Sequence, residues 1–352
     1  MVDWSKAYTS SWRVMRVNPD TWEDADELTG IRSVSIRRDS TEDAPLLETA
    51  DVVAEKQADW DLEEGWYRVE LLAEQGAEFE RVALATLLME SVRGVADRQV
   101  ADCSITGRSV LAPAADEMMA DGEYAPARTD GAAWVASKLR ACTPAPVEVE
   151  GSFTLEENVV FDSGSSVLKA CWTVLDSANW CMRISGRGEV SISRMPDEPS
   201  LVLDTANAKL VRSGGVEYER DRSKVPNRYI AVDGKSSAAA VNSDPGSRVS
   251  TVRRGRNVDF YDPAPNRVDG ESLQAYAERR LEEESTVRMP RTYSREYAEG
   301  VVPFCIVRGS IASVGLDGDL RVMSQDVECS HDVTVTETSG LEVKEYRAWQ
   351  TA

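Results

Sequence analysis

A chain of 352 residues, 42% hydrophobic and 29% charged, has the composition of a folded globular protein and length for two or three domains. Lys and Arg number 40 against 61 for Asp and Glu, a formal net charge of −21, so the surface as a whole repels nucleic acid and anionic lipid. A single histidine, His331, excludes a multi-histidine zinc centre, and six cysteines without a CxxC pair read as reduced and mostly buried.

No apolar run approaches the roughly 18 residues of a membrane span. The opening Met1-Val2-Asp3-Trp4-Ser5 lacks the basic and apolar regions of a signal peptide, so the chain is expected in the cytosol or in something assembled there. From Ile31 to Val53 short strands are predicted, Val34 and Ile36 alternating with Ser33, Ser35 and Arg37. At Trp66 to Leu72 the alternation puts Tyr67, Val69 and Leu71 on one face and Arg68 and Glu70 on the other. The first 110 residues or so therefore read as a β-rich barrel or sandwich. Ala112 to Asp130, with Pro113, Gly122 and Pro126, is the expected inter-domain loop. Asp130 is placed to cap a helix over Ala132 to Cys142, and Ser163 or Ser165 to cap a second one running from Val167 to Ala178. Trp180 to Ser185, a Gly186-Arg187-Gly188 turn, and Glu189 to Arg194 read as a hairpin. Beyond it Tyr229 to Val232 and Arg248 to Val252 are expected strands, and Glu271 to Ser285 a helix with Leu273, Ala277 and Leu281 on one side. Val301 to Val307, Leu320 to Met323, Val333 to Val335 and Leu341 to Tyr346 are read as closing strands, with a turn at Gly315 to Gly318.

The charge is unevenly spread. Residues 1–150 hold 15 basic and 30 acidic side chains, whereas residues 205–300 hold 17 and 15, the basic ones nearly all arginine. Such a shift predicts separate surfaces with separate neighbours. Arg253-Arg254-Gly255-Arg256 is the densest basic cluster, and in so acidic a chain its expected partner is an acidic protein surface, a copy of the N-terminal half being one candidate. Nucleophilic hydrolysis would have to use His331 as its base, but no GxSxG elbow exists and Cys329-Ser330-His331 reads as strand. Sixty-one carboxylates give no means of choosing a glycosidase pair, and the acidic runs at 23–27 and 59–64 lack the calcium-loop pattern. Gly186-Arg187-Gly188 lacks the third glycine of a dinucleotide loop. Nine tryptophans, among them Trp4, Trp12, Trp22, Trp60 and Trp66, fit an interface or a core equally well.

Four stretches resemble the baseplate hub proteins of tailed bacteriophages and related contractile particles. They are Arg13 to Val17 with Val34 to Ser40 and Ala44 to Ala50, then Arg220 to Gly234 with its Pro226-Asn227, the helix Ser272 to Leu281, and the ending from Val327 to Val343. The resemblance implies an α+β, β-rich fold with two tube-type antiparallel β-barrel domains and a small α/β unit, three chains forming a pseudo-sixfold ring. On that reading residues 1–125 form the first barrel and 126–205 the α/β domain. Residues 206–352 form a second β-rich domain carrying helix 271–285, its C-terminal strands completing the second barrel. It further implies a non-enzymatic homotrimer of the virion tail, assembled in the host cytoplasm, with no cofactor and no membrane anchor. The implied neighbours are the tail tube or distal tail protein, the tape-measure protein, and a spike or tip protein, with DNA passing as unbound cargo along an acidic lumen. Arg220, Arg222, Arg253, Arg254 and Arg256 are the subunit-interface candidates. The alternatives are a carbohydrate-active or cell-wall hydrolase using paired carboxylates, and a monomeric β-rich glycan-binding module with tryptophan platforms.

Overall fold

The N-terminal stretches form antiparallel strands β1 (Thr9–Val17), β2 (Asp24–Leu28), β3 (Ile31–Asp39), β4 (Leu47–Glu55), β5 (Gly65–Gln75), β6 (Glu78–Ala96) and β7 (Ala101–Ser109), paired in the order β3-β4-β7-β6-β5-β1-β2. The computed structural model describes residues 2, 8–41, 44–55, 64–96, 101–203, 216–218, 222–263, 265, 271–311, 316–330 and 333–344. They belong to two compact units, a large one of residues 1–216 with 292–339 and a small one of residues 217–291 with 340–352. In the large unit Val34 lies opposite Val52 and Ile36 opposite Ala50, and these pack with Val69 and Leu71 in one buried cluster. Alternation places them on one face, as expected.

The outer face of β5 departs from expectation, because Arg68 and Glu70 are 0% and 1% exposed. A second layer covers Arg68, whereas Glu70 is met by Arg13 of β1 (2.8 Å). The Arg68 guanidinium pairs with Asp24 and donates to the carbonyls of Trp22 (3.3 Å) and Arg187 (3.2 Å), while its Nε donates to Thr86 (3.1 Å). Thr86 in turn donates to the Gly186 carbonyl (3.0 Å), and Trp22 Nε1 to that of Arg187 (2.8 Å). The predicted hairpin turn is therefore a docking tongue. A Cβ on Gly186 would stand 1.8 Å from the Ala83 carbonyl oxygen, which only glycine avoids.

That tongue belongs to a layer built from α1 (Ala112–Asp116), β8 (Tyr124–Ala125), α2 (Gly131–Cys142), β9 (Val147–Glu150), β10 (Val159–Val160), α3 (Val167–Asp176), β11 (Trp180–Ile184) and β12 (Val190–Arg194). Asp130 caps α2 by accepting from Ala132 and Ala133, as its position predicts. The cap of α3 is Ser166 rather than Ser163 or Ser165, its hydroxyl accepting from Lys169 at 3.2 Å. The expected loop after residue 112 begins instead as α1, with Ala112 and Ala114 buried: a proline in the first helical turn and small residues fit a short helix pressed into the core. β12 pairs antiparallel with β11 and parallel with β9. A last strand before the small unit, β13 (Pro199–Leu203), follows.

In the small unit, β14 (Glu217–Tyr218) precedes a three-stranded sheet with the order β16-β15-β17, made of β15 (Arg228–Asp233), β16 (Ser236–Val241) and β17 (Asp259–Asp262), with α4 (Thr251–Arg254) and α5 (Leu273–Glu284). The strand expected at Arg248 to Val252 is absent. Ser250 accepts from Arg253 (3.3 Å) and Gly255 closes the turn at φ 62, so serine cap and glycine stop make α4 instead. α5 lays Tyr276, Ala277 and Leu281 on Tyr229, Ala231 and Ala240, and Tyr229 and Tyr276 both donate to Asp262 (2.8 and 2.7 Å).

The returning strands are β18 (Thr286–Arg295), β19 (Ile306–Ile311), β20 (Leu316–Cys329) and β21 (Val333–Lys344). β20 takes the free edge of β3, Val327 opposite Ile36, and β21 lies beyond it. In place of two closed barrels, the N- and C-terminal strands of the large unit share one sheet whose described pairings do not close. Each edge of β3 carries backbone N–H and C=O groups that need a neighbour, and β4 takes one edge while β20 takes the other. A polar row crosses this seam: Arg38 donates to Glu48 (2.8 Å) and Gln325 (3.1 Å), Gln325 to Glu337 (2.7 Å), and Arg295 to Glu337 (2.7 Å), with Tyr293 also donating to Glu337. Burial pushes Glu337 up, but the charge of Arg295 and the bonds from Tyr293, Arg295 and Gln325 outweigh it and hold the carboxyl below its ordinary range. Burial pushes Glu48 up, and Arg38 offsets this only in part.

Two outcomes are expected. Gly186→Ala lowers stability by about 1–3 kcal/mol through overpacking, measured as a lowered urea midpoint. Glu337→Gln lowers it by about 3–5 kcal/mol at neutral pH, since Arg295 is left as an unpaired buried charge. A carboxylate with a depressed folded value stabilises fully above its ordinary pKa of 4.5 and ceases to as pH falls through the folded value. The variant should accordingly show a shallower acid limb in stability against pH.

Candidate functional site

The arginine-rich segment is organised by two fully buried asparagines of the small unit, Asn227 and Asn242. Asn227 follows the proline of the hub-like stretch. Its Nδ2 donates to the carbonyls of Val249 (3.0 Å) and Arg256 (3.0 Å), its Oδ1 accepts from Val258 N (2.8 Å), and its backbone N–H donates to the Val258 carbonyl (2.9 Å). Asn242 donates to Ser247 (3.0 Å), and its carbonyl accepts from both the N–H and the hydroxyl of Thr251. These bonds hold the loop from 242 to 258 against the start of β15 and present α4 outward. Only their buried amides reveal the role, and a Pro-Asn pair or an Asn in a turn gives little signal of it in sequence.

The five interface candidates separate. Arg253 and Arg256 are exposed, as are Arg248 and Lys224, which sequence reading passed over, and Val252 between them is 63% exposed. Arg254 turns the other way: half-buried, it donates to the carbonyls of Val225 (2.6 Å) and Arg222, clamping the 222–225 turn. Arg222 is also half-buried, with its guanidinium 3.8 Å from Met289 Sδ. Arg220 lies outside the described residues, as does His331. The structure thus brings Arg253 and Arg256 onto one short exposed turn and assigns Arg254 to holding it. Beside them Arg228 and Asp259 form a paired strand-to-strand contact (2.8 Å), which keeps the Asp259 carboxyl below its ordinary range. Residues 217–291 hold 14 basic and 13 acidic side chains in a chain of net charge −21, so this unit is the electrostatic exception.

Among the described residues no cluster of three or more His, Cys, Asp or Glu could hold a metal ion. Burial pushes the thiols of Cys142 and Cys329 up to about 12, far from nucleophilic. None of the six described tryptophans is exposed, and Trp4 and Trp60 lie outside the described residues. Instead Trp12, Trp22 and Trp172 donate their indole N–H to the carbonyls of Ser330 (2.6 Å), Arg187 (2.8 Å) and Pro45 (3.2 Å), pins between distant segments rather than sugar platforms.

No family model matches the chain, and no curated protein matches it in sequence. Solved structures do. The tail protein from Neisseria meningitidis superposes with a TM-score of 0.67 at 14% identity, over 95% of this chain and 97% of that one. The 43 kDa tail protein of prophage MuSo2 from Shewanella oneidensis gives 0.64 at 12% identity, over 96% and 99%. The E. coli c3393 protein, a type VI secretion component described as structurally similar to bacteriophage T4 tail proteins gp27 and gp5, gives 0.51 at 10% identity, over 92% and 78%. At such identities the likeness speaks for the fold. Across nearly its whole length this chain has the fold of phage and prophage tail proteins.

Arg254→Ala should lower stability by about 1–2 kcal/mol, because two carbonyls lose a charged donor. Arg253→Ala and Arg256→Ala should each stay within about 0.5 kcal/mol of the parent. Thermal unfolding of the three variants side by side checks this division.

Proposed function

We propose that the chain is a non-enzymatic structural protein of a phage-type tail, a baseplate hub that assembles as a homotrimeric ring. The observation that carries this reading is the fold shared with the Neisseria tail protein, at a TM-score of 0.67 over 95% of this chain and 97% of that one. On this reading residues 1–125 and the C-terminal strands supply two tube-type barrels that close in the ring, so three chains present pseudo-sixfold symmetry to the tail tube. The partners are the tail tube or distal tail protein, the tape-measure protein and a spike or tip protein. The acidic surplus lines the channel, where it repels DNA phosphates and lets the genome slide. Arg253 and Arg256 engage an acidic surface of the neighbouring subunit.

Light scattering on the purified chain, with negative-stain images of the same peak, should give a threefold mass and open-centred rings. Arg253→Glu with Arg256→Glu should shift the mass toward monomer while leaving the unfolding midpoint near that of the parent. A compact monomer at high concentration counts against the ring, and an unchanged trimer in the double variant counts against this interface.

A further inference from the structure

At one end of the polar row lies a small pocket lined by Leu47 and Glu48 of β4, Arg183 and Ile184 of β11, and Val302 and Pro303 ahead of β19, all of the large unit. Both of its polar side chains are incompletely bonded. Glu48 is 2% exposed and uses one carboxylate oxygen on Arg38 Nε (2.8 Å), while Oε2 is buried with no hydrogen-bond partner. Arg183 donates from Nη2 to Ser193 (3.2 Å) and stands 3.9 Å from a Glu150 oxygen, yet its Nε is buried and unpartnered. Among the described residues these are the two buried side-chain polar atoms left without a partner, and both belong to residues of this one pocket.

Buried polar groups are costly to leave unmet, and unpaired ones point to a ligand or a water. The two groups ask for opposite things: Oε2 needs a donor, and Nε–H needs an acceptor. An anion would satisfy Arg183 and be repelled by Glu48, and a cation the reverse. An apolar ligand satisfies neither. Water donates and accepts at once, and two polar partners are enough to order it.

We propose that this pocket is a structural water site, in which one ordered water accepts from Arg183 Nε–H and donates to Glu48 Oε2, joining the large sheet to the α/β layer. The bridge survives protonation of Glu48, since the water can then accept from both groups. This inference does not rest on the tail reading. A crystal structure of the full chain at about 1.8 Å or better should show a density peak about 2.6–3.2 Å from both atoms. A direct Glu48–Arg183 contact, or a pocket without density, overturns it. A second measurement uses urea unfolding of Glu48→Leu, Arg183→Leu and the double variant. A shared water predicts that the double variant's midpoint falls by less than the sum of the single losses, and additive losses overturn the bridge. Should a leucine variant fail to fold, the density in the parent crystal decides.

Discussion

The polar row through Glu48, Arg38, Gln325, Glu337 and Arg295 is the constraint on which the large sheet depends. Each member is buried, so each must find its partner or cost the fold several kcal/mol. Because the row runs from β4 through β3 and β20 to β21 and β18, it specifies register as well as pairing. A slip of β3 by one residue would send Arg38 to the other face and part it from both Glu48 and Gln325, which adds a polar penalty to the misplaced apolar side chains. The row thus contributes less to net stability than to there being one arrangement of these strands.

The same logic explains the second layer. Arg68 is charged, buried and outward from the first core, and the Asp24 carboxylate with the backbone carbonyls of Trp22 and Arg187 makes that burial tolerable. Donors of one segment repeatedly meet carbonyls of another: Arg68 and Trp22 on the tongue, Trp172 on Pro45, Trp12 on Ser330. Apolar packing brings the layers together, and these directional bonds fix where they sit. Of the six tryptophans described, Trp12, Trp22 and Trp172 are such anchors, and Trp66, Trp134 and Trp180 pack with aromatic neighbours.

Local rules made much of this legible. Asp130 and the three- and four-residue spacing announced α2 and α3, the period of two announced β3 and β5, and glycine marked the turn between β11 and β12. What failed did so for identifiable reasons. Alternation assigns Arg68 and Glu70 to the outside, but it cannot say that another layer covers Arg68 or that Arg13 bonds Glu70 from the neighbouring strand. Arg38 shares the parity of Val34 and Ile36, so its place inside was written in the pattern, though a charged residue invites the opposite reading. In the arginine cluster, composition marked the right segment without separating Arg254, which points inward, from Arg253 and Arg256. That division depends on Asn227 and Ser250, whose bonds are set by tertiary contacts.

The pairing of β3 with β20 has a consequence in time. Arg38 and Gln325 are 287 residues apart, and at cellular synthesis rates that interval is on the order of 15 to 60 seconds. Throughout it one edge of β3 is outside the ribosome before β20 exists, while Arg38 already has Glu48 and the Leu84 carbonyl, only 10 and 46 residues further on, to bind. The near partners of Arg38 are thus made first, and Gln325 completes the row last. The residue that takes its local partners early is then also the one that receives the strand made last.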